Sequence, residues 1–534
     1  MKGLYGILTG KQTPVLGYAQ RNAKFRDEKV QKETERYLVH FDGVLLAHAR
    51  PAADDERFLL LTGLYERYGT SMTAHLKGQY NLVIWDKQRR KALVTSDLLS
   101  RRPMYYSVRE NKLFYASSYD DLLELLSAET KERPVIDEEA VRSMAHNGAL
   151  AGVHTYLRDV HYLDAYQALC YDLDTGAVKV EEIRPEACQP VQSMEEAVRQ
   201  FDTLFANAVK AQFDKNAEYG YEHFMALSGG MDSRACLLKA VACGYQDGIT
   251  CVNYSQTDSI DNTVSRQLAY DNRLDYLFYP MDAAVFMTRL DEAMRCNECQ
   301  QSCIGSTGAR TMARLLDKTR MGIMHVGLCG GELMGDLISC HAGSRLQSLL
   351  LRLGMNGEAQ YTFNRRDYLD NLRACQNFSQ MFLEECETVS PFMDEDVVRF
   401  VNSLDPKLLY RRRLYREWMI QCVPNDYPTT YFCGPVGISP VGEIMAKIAD
   451  RVIRRVAGSS RRDMNPIAQW LKIHPQLSKA CDDAYADGME KLRKADIPAD
   501  VAAVLSSAWE MGAEQKLYTL TAVTALVNIT RRFQ

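Results

Sequence analysis

The segment Phe224-Met225-Ala226-Leu227-Ser228-Gly229-Gly230-Met231-Asp232-Ser233-Arg234 decides the fold of the second half of this chain. Its apolar start predicts a buried strand, Ser228 to Ser233 predict a turn of small residues, and Ala235 to Ala242 predict a helix. Two adjacent glycines let backbone amides curl around an anion without interference from a Cβ atom. The positive end of the helix dipole lies at the same place. The segment therefore predicts a strand–turn–helix that binds an anion.

The side chains of this turn favour a nucleotide over a bare phosphate. Ser228 and Ser233 add hydroxyl donors, whereas Asp232 suits a phosphate site only if it holds a bridging magnesium ion. The spacing S-G-G-x-D-S differs from that of the P-loop and resembles the pyrophosphate loop of the N-type ATP pyrophosphatases. We therefore predict ATP bound by its pyrophosphate portion, with AMP transferred to a substrate. The alternative is a Gly-Gly turn and a helix-start aspartate that serve the fold alone.

Length, composition and charge bound the remaining possibilities. A chain of 534 residues predicts two or three domains, and 46% hydrophobic with 25% charged residues is ordinary for a soluble globular protein. The net charge of −5 argues against a nucleic-acid partner. No apolar run reaches the roughly 18 residues of a membrane span, and the opening residues do not form a secretory signal. We therefore expect neither nucleic acid nor membrane as a partner.

The cysteines indicate a reduced cytoplasmic setting. There are 15, an odd number, at irregular spacing. Their one cluster, Cys296-x-x-Cys299-x-x-x-Cys303, lacks a second cysteine pair and a nearby histidine pair, which disfavours a zinc or iron–sulfur site.

Two segments of different pattern divide the chain. Short apolar runs between polar turns over about 170 residues predict two packed sheets with a few helices, one of them from Arg57 to Tyr68. A polar stretch from Glu181 to Glu196, with Pro185 and Pro190, predicts a linker. We therefore predict domains at residues 1–185 and 194–534.

Helices alternate with buried strands from Met194 onward. This rhythm predicts a parallel sheet with helices on both faces, and it places ligands at the carboxyl ends of the strands. The loops 228–233 and 329–332 should therefore meet at one edge. The residues beyond His341 are expected to form a helical extension. Helices are predicted at Glu195–Phe213 and Ser259–Asn272. Strands are predicted at Tyr221–Leu227, Ile249–Tyr254, Leu274–Tyr279 and Gly322–Leu328.

Several motifs resemble those of the asparagine synthetase superfamily. Leu227 to Ser233 is similar to its ATP loop, and Gly327 to Gly335 resembles its second loop, G-x-G-x-D-E-x-x-G. Ser390 to Val398 resembles its P-F-x-D-x-x-φ-V element, and Arg412 to Glu417 its K-x-x-x-R-E element. The opening Met1 to Gly6 is similar to the family's M-C-G-I-x-G.

The resemblance implies a fold of mixed α/β and α+β class. Residues 1–185 are expected to be an Ntn-hydrolase-like β-sandwich with helices, of the class II glutamine amidotransferase type. Residues 194–534 are expected to be a doubly wound parallel-sheet ATP-pyrophosphatase domain with a helical extension.

The first domain departs from the family at its nucleophile. The family's glutaminase uses the cysteine that follows the initiator methionine, whereas this chain has Lys2 there and its first cysteine is Cys170. A thiolate activated by its own α-amine cannot be built in this domain. We therefore expect a degenerate glutaminase domain without activity.

The resemblance also implies a set of site residues. Mg²⁺ is assigned to Asp232 and Glu332, because Gly331 occupies the usual second-loop aspartate; Glu332 as a simple helix-start residue is the alternative. Arg412 replaces the family's lysine and can stabilise developing negative charge without carrying a proton. The catalytic residues are predicted to be Arg412, Arg416 and Lys447, although Lys447 also reads as a surface lysine. The ATP and pyrophosphate ligands are predicted to be Leu227, Ser228, Gly229, Gly230, Met231, Asp232, Ser233, Val252, Tyr254 and Gly327.

These features predict an ATP-dependent carbon–nitrogen ligase that forms an acyl-adenylate and releases AMP and pyrophosphate. Family members without the nucleophile cysteine resemble β-lactam synthetases and lasso-peptide cyclases. The missing cysteine and the arginine-rich C-terminal third favour macrolactam closure of a ribosomal peptide. This implies a peptide carboxylate and amine as substrate, with a leader-peptide protease and a leader-binding protein as partners. The alternatives are an amide ligase using ammonia or a small amine on a small molecule or glycan, and a non-catalytic nucleotide-fold scaffold.

Overall fold

The computed structural model of the chain describes residues 3–10, 14–53, 55–130, 132–189, 191, 193–282, 289–304, 306–342, 347, 359–423 and 464–534. Its sheets fall into two groups that follow one another along the chain. No helix within these residues is long and apolar enough to cross a membrane.

Two antiparallel sheets form the first group. The five-stranded sheet has the order β2-β1-β8-β7-β9, and the six-stranded sheet has the order β11-β10-β6-β5-β4-β3. The strands are β1 (Gly3–Thr9), β2 (Val15–Ala19), β3 (Val30–Glu33), β4 (Tyr37–Leu45), β5 (Gly78–Asp86), β6 (Lys91–Ser96), β7 (Tyr105–Arg109), β8 (Lys112–Ala116), β9 (Val160–Tyr162), β10 (Gln167–Asp172) and β11 (Val178–Glu182).

Helices cover the outer faces of this sandwich. They are α1 (Glu56–Tyr68), α2 (Tyr119–Glu129) and α3 (Glu138–Asn147). Leu82 and Ile84 of β5 pack with α1, whereas Val83 packs with Leu8 and Leu113 of the facing sheet. This two-residue alternation lets one strand contribute to two apolar layers. The predicted pair of sheets with a few helices, including the helix from residue 57 to 68, is confirmed.

A parallel sheet forms the centre of the second group. Its order is β14-β13-β12-β15-β18, and all its pairs are parallel. The chain runs outward from β12 to β14 and then returns to build β15 and β18 on the other side. The direction therefore reverses between β12 and β15, which is where sheets of this kind bind ligands. The strands are β12 (Glu222–Ala226), β13 (Ile249–Ser255), β14 (Asp275–Pro280), β15 (Met321–His325), the hairpin pair β16 (Ile338–Ala342) and β17 (Ala359–Phe363), and β18 (Glu387–Val389).

Helices pack around this sheet, and the last of them reach the sandwich. The final two helices contact α3, so the C-terminal segment joins the core of the first group. The helices are α4 (Met194–Glu218), α5 (Met231–Ala242), α6 (Ile260–Asp271), α7 (Leu290–Arg295), α8 (Ser306–Leu315), α9 (Arg365–Ser379), α10 (Glu395–Ser403), α11 (Pro406–Leu409), α12 (Arg413–Cys422), α13 (Ile467–Ile473), α14 (Pro475–Lys494), α15 (Ala499–Trp509) and α16 (Ala513–Arg532).

Three expectations need correction. Helix α5 begins at Met231, so Asp232 and Ser233 lie in its first turn and not in the loop before it. Strand β15 ends at His325, three residues earlier than predicted. The region beyond His341 is not purely helical, because β17 and β18 lie within it. The three residues of β18 carry too little pattern to indicate a strand, and its parallel pairing with β15 appears only in the structure.

Candidate functional site

The loops that follow β12 and β15 meet at the carboxyl edge of the parallel sheet. The Leu227 N–H donates to the Val252 carbonyl oxygen at 2.9 Å, which extends the ladder to the start of the first loop. A Cβ atom on Gly327 would lie 2.3 Å from the Ser233 nitrogen. Only glycine therefore lets the second loop touch the first turn of α5.

The first loop is closed onto this helix by serine side chains. The Ser228 N–H donates to Ser233 Oγ at 3.0 Å, and the Gly230 N–H donates to Ser228 Oγ at 3.2 Å. Gly230 is the N-cap of α5, and no side chain caps this helix end in the described structure. A glycine N-cap supplies no side-chain acceptor to the first-turn amides of α5, and helix N-termini of this kind bind anions.

A carboxylate already occupies one amide of the loop. The Gly229 N–H donates to Asp261 Oδ1 at 3.1 Å, and Arg234 Nη2 donates to the Gly229 carbonyl oxygen at 3.0 Å. Asp261 comes from the first turn of α6, so the neighbouring unit of the sheet supplies this contact. The loop therefore binds a negative group in this structure, and a phosphate at Gly229 would have to displace the carboxylate.

Asp232 connects the two loops. The Tyr415 hydroxyl donates to its Oδ1 at 2.9 Å, and the Gly331 N–H donates to its Oδ2 at 3.1 Å. A Cβ atom on Gly330 would lie 2.4 Å from the carboxylate carbon. Burial raises the pKa of Asp232 to about 6, against the lowering effect of Tyr415 and Arg412.

The carboxylates at this point suit a divalent cation. The negative charge of Glu332 contributes to the raised pKa of Asp232, and a bound cation would relieve that repulsion. No group of three or more His, Cys, Asp or Glu side chains within the described ranges could hold a metal. A bound Mg²⁺ would therefore take its other ligands from water and phosphate, as this ion commonly does.

The second loop has an unusual backbone. Cys329 is buried and has a φ of 63°, where the related motif has glycine. The loop continues into a π-helical turn at Glu332–Asp336 that contains Gly335 with a φ of 124°. A Cβ atom on Gly335 would lie 2.1 Å from the Leu409 carbonyl oxygen, so this turn packs directly on the backbone before α12.

Arg412 lies over the second loop in a strained turn. Both Arg411 and Arg412 have left-handed φ values, 53° and 60°, which cost about 1 to 3 kcal/mol each. Arg412 Nε donates to Asp336 Oδ1 at 2.5 Å, and Nη2 contacts the other oxygen. This pairing raises the pKa of Arg412, so the guanidinium stays charged. A Cβ atom on Gly331 would lie 2.8 Å from Nη2. The guanidinium therefore lies beside the residue of the second loop whose N–H donates to Asp232.

The other predicted residues have more distant roles or lie elsewhere. Val252 contributes its carbonyl to the Leu227 ladder bond. The ring of Tyr254 is buried in the core, where Gly308 of α8 approaches it closely. Arg416 is half-buried on α12, one turn after Arg412. Lys447, like Lys2, lies outside the described residues.

Two contacts of the site were not predicted from the sequence. The motif around Arg416 contains Tyr415, but the pattern does not indicate that its hydroxyl donates to Asp232. Asp261 follows a helix-capping Ser259 and has no loop motif of its own. Both residues come from other elements, and only the packing of α6 and α12 around α5 brings them to the loop.

The sandwich offers no activated thiol in its described residues. Cys170, the first cysteine of the chain, lies on β10, and burial raises its pKa to about 12. A protonated thiol is a poor nucleophile. The prediction of a domain without glutaminase activity stays a prediction.

Comparison with known proteins gives partial similarities. Residues 47–181 match the glutamine amidotransferase domain family. A segment of 77 residues is 31% identical to the amidase chry2 of Gibberella zeae, which covers 13% of this chain and 12% of that protein. A segment of 187 residues is 23% identical to the glutamine-hydrolysing asparagine synthetase 2 of Bacillus subtilis, covering 33% of this chain and 24% of that protein. The chain thus spans less than a quarter of the length of these curated relatives.

Solved structures were also compared with the chain. The allosteric regulatory enzyme of purine biosynthesis has 10% identity and a TM-score of 0.22, over 52% of this chain and 74% of that one. The Bacillus subtilis glutamine phosphoribosylpyrophosphate amidotransferase has 11% identity and a TM-score of 0.21, over 50% and 73%. The sequence similarities, and not these superpositions, support a relationship to the glutamine amidotransferases and the asparagine synthetases.

Proposed function

We propose that this chain is an ATP-dependent carbon–nitrogen ligase. A carboxylate attacks the α-phosphate of ATP and forms an acyl-adenylate with release of pyrophosphate, and an amine then displaces AMP to form an amide. One observation carries the proposal. Between β12 and β15, where the order of strand addition changes direction, Asp232 joins the Ser-Gly-Gly loop to the second loop. In this proposal residues 194–534 are the adenylating domain, and residues 1–185 are a degenerate amidotransferase domain.

The residues of the two loops have distinct roles in this reaction. The first-turn amides of α5 and the serine hydroxyls bind the departing pyrophosphate. Asp232 and Glu332 would hold Mg²⁺, and the ion would supply positive charge to neutralise the phosphates. Tyr415 keeps the Asp232 carboxylate in one orientation through its hydrogen bond. Arg412 stabilises negative charge on the phosphate or acyl oxygen, and its pairing with Asp336 limits where the guanidinium can lie.

The nitrogen source follows from the first domain. Lys2 stands where the related enzymes have their nucleophile, and burial raises the pKa of the Cys170 thiol, so we propose that glutamine does not supply ammonia. We propose that the amine belongs to the substrate, most simply a ribosomal peptide whose carboxylate and amine close to a macrolactam. Holding both groups in one site removes the entropy of a bimolecular encounter. Ammonia or a small amine acting on a small molecule or glycan is the alternative substrate class.

A non-catalytic scaffold is the second candidate. Both oxygens of Asp232 already accept hydrogen bonds from the protein, and Asp336 engages Arg412. A structural role for these side chains would need no nucleotide.

Pyrophosphate release tests the two candidates. The purified chain is incubated with ATP, Mg²⁺ and either a precursor peptide or a small carboxylic acid with an amine. Substrate-dependent pyrophosphate supports the ligase, and its absence together with an unchanged melting temperature in ATP supports the scaffold. Loss of one water from the peptide, seen by mass spectrometry, identifies macrolactam closure. Gain of an amide nitrogen by the small acid identifies the alternative.

A further inference from the structure

Buried ion pairs join the sandwich to the edge strand of the parallel sheet. Arg102, in the turn after β6, contacts Asp42 through Nη1 at 2.8 Å and Glu387 through Nη2 at 2.5 Å. All three side chains are at most 1% exposed. Asp42 belongs to the sandwich, and Glu387 is the first residue of β18. One guanidinium therefore connects the two halves of the molecule without intervening solvent.

The neighbouring arginine makes a parallel connection. Arg101 Nε contacts Asp97 Oδ1 at 2.8 Å, and its Nη1 donates to the Met393 carbonyl oxygen at 2.7 Å. Arg101 also pairs with Glu395 at the start of α10. Together Arg101 and Arg102 contact both ends of the segment from Glu387 to Glu395.

Hydrogen bonds continue from this segment to the candidate site. The Val326 N–H donates to the Val389 carbonyl oxygen at 2.9 Å, and Ser390 Oγ donates to the Leu328 carbonyl oxygen at 2.8 Å. The second loop follows directly, and its Gly331 N–H donates to Asp232. An unbroken series of contacts thus runs from Arg102 through β18 to the carboxylate that joins the two loops.

The energetics argue for a positioning role. A buried ion pair is a weak source of net stability, because desolvation of both charges offsets their attraction. Its geometry is nevertheless demanding, since each charge must find its partners. Strand β18 has three residues and, among the strands that the structure describes, pairs only with β15, so its own ladder constrains it little. The arginines supply the constraint that the short strand lacks.

We propose that Arg101 and Arg102 of the sandwich are positioning residues for the second loop, acting through β18 and Ser390. The sandwich then serves as a platform for the adjacent site, in place of delivering ammonia to it. The catalytic consequence rests on the proposed ligase function, whereas the ordering of the loop does not.

The test compares two isosteric changes. Glu387→Gln weakens the Arg102 contact with β18 and leaves Arg102 paired with Asp42. Glu28→Gln is the matched control, because Glu28 is also 0% exposed and also bridges the halves, from Arg57 at 2.7 Å to Lys215 of α4 at 3.1 Å. We expect amide hydrogen exchange of residues 326–336 to be at least about tenfold faster in Glu387→Gln and unchanged in Glu28→Gln. Equal exchange of this segment in both variants and the unchanged protein would overturn the proposal.

Ser390→Ala provides a second variant that involves no buried charge. It removes the hydroxyl contact with Leu328, and we expect faster exchange in residues 326–336 with a nearly unchanged melting temperature. Unchanged exchange in this variant counts against the proposal, including when Glu387→Gln does not fold. Where the unchanged protein forms pyrophosphate, kcat should fall about three- to tenfold in Ser390→Ala, with KM for the carboxylate nearly constant. If the unchanged protein forms none, the ligase fails, and the exchange comparison still decides the positioning role.

Discussion

The two halves of this molecule differ in what they share with known enzymes. The sandwich contains the segment that matches the glutamine amidotransferase domain family. Residue 2, however, is lysine, where the enzymes that the chain resembles have a cysteine nucleophile. The parallel-sheet half contains the paired loops, the half-buried Asp232 and the strained Arg412 turn. The segment that matches the amidotransferase family and the paired loops therefore lie in different halves. A fold depends on many alternating buried positions, whereas a reaction depends on a few side chains at strand ends.

The two halves also hold their charges differently. The sandwich buries Asp42, Asp97 and both arginines as ion pairs, in which each charge has a partner. Asp232, in contrast, has hydrogen-bond donors and a nearby cation, but its pKa is still raised to about 6. Strongly perturbed acids are concentrated at functional sites, although structural networks also perturb them. Variants at Asp232, Arg412, Glu298 and Cys170 test this difference between the halves.

Replacement of Asp232 should have the largest effect. We expect Asp232→Ala to lower substrate-dependent pyrophosphate formation by at least about a hundredfold, because the loops lose their bridge and Mg²⁺ loses a ligand. Asp247→Ala, at an exposed turn of the same half, is the control and should retain the normal rate. Pyrophosphate formation by Asp232→Ala at the normal rate would show that Asp232 takes no part in the reaction. The contrast between the charges of the two halves would then have no catalytic meaning.

Replacement of Arg412 should have a smaller effect. We expect Arg412→Ala to slow turnover by about tenfold or more, because the site loses a cation that stabilises developing charge. The turnover of Arg412→Lys should lie between those of the unchanged protein and Arg412→Ala, since a lysine keeps the charge but not the two-point contact with Asp336. Steady-state rates of pyrophosphate release at saturating ATP measure both variants, and equal rates in all three proteins would contradict the assignment.

Glu298, where the two halves are in contact, should make the stability of the folded protein depend on pH. Glu298 accepts from Ser118 Oγ at 2.6 Å and from the Tyr119 N–H at 2.5 Å, and burial raises its pKa to about 7. The folded protein therefore holds this proton more tightly than the unfolded chain does. Its stabilising contribution is full below about pH 4.5 and is lost as the pH rises through about 7.

A glutamine at position 298 mimics the protonated acid. Glu298→Gln should flatten the dependence of the melting temperature on pH between about 5 and 7.5, and should raise that temperature at pH 7.5 by about 2 to 5 °C. Glu129→Gln, at the exposed end of α2, should leave the curve unchanged. Melting curves of both variants measure the effect, and a parallel curve for Glu298→Gln would show that the acid is already ionised in the fold.

The smallest effect is expected at the sandwich cysteine. Cys170→Ala should leave pyrophosphate formation within about twofold of normal, because a half-buried thiol whose pKa is raised to about 12 has almost no thiolate to contribute. Incubation with glutamine should release no ammonia above the buffer level in either protein. Ammonia release that disappears in Cys170→Ala would show that the first half has kept a glutaminase by another route.

Local pattern determined a large part of this structure. The apolar run of β5 and the Gly-Gly turn before α5 could be predicted from the sequence, because each depends on neighbours in the chain. The same holds for the order of helices and strands from Met194 to His325, and for the two loops that follow β12 and β15. The presence of Lys2, where the resembled family has its cysteine nucleophile, is seen from the sequence alone.

Tertiary structure alone decided the rest. Strand β18 exists because β15 offers a parallel partner, and Tyr415 and Asp261 reach the loop because α12 and α6 pack beside α5. The contact between Arg102 and Glu387 joins residues 285 positions apart. Periodicity reports which face of an element is buried, but not which distant side chain shares that burial, since partners far apart in the chain leave no local signal.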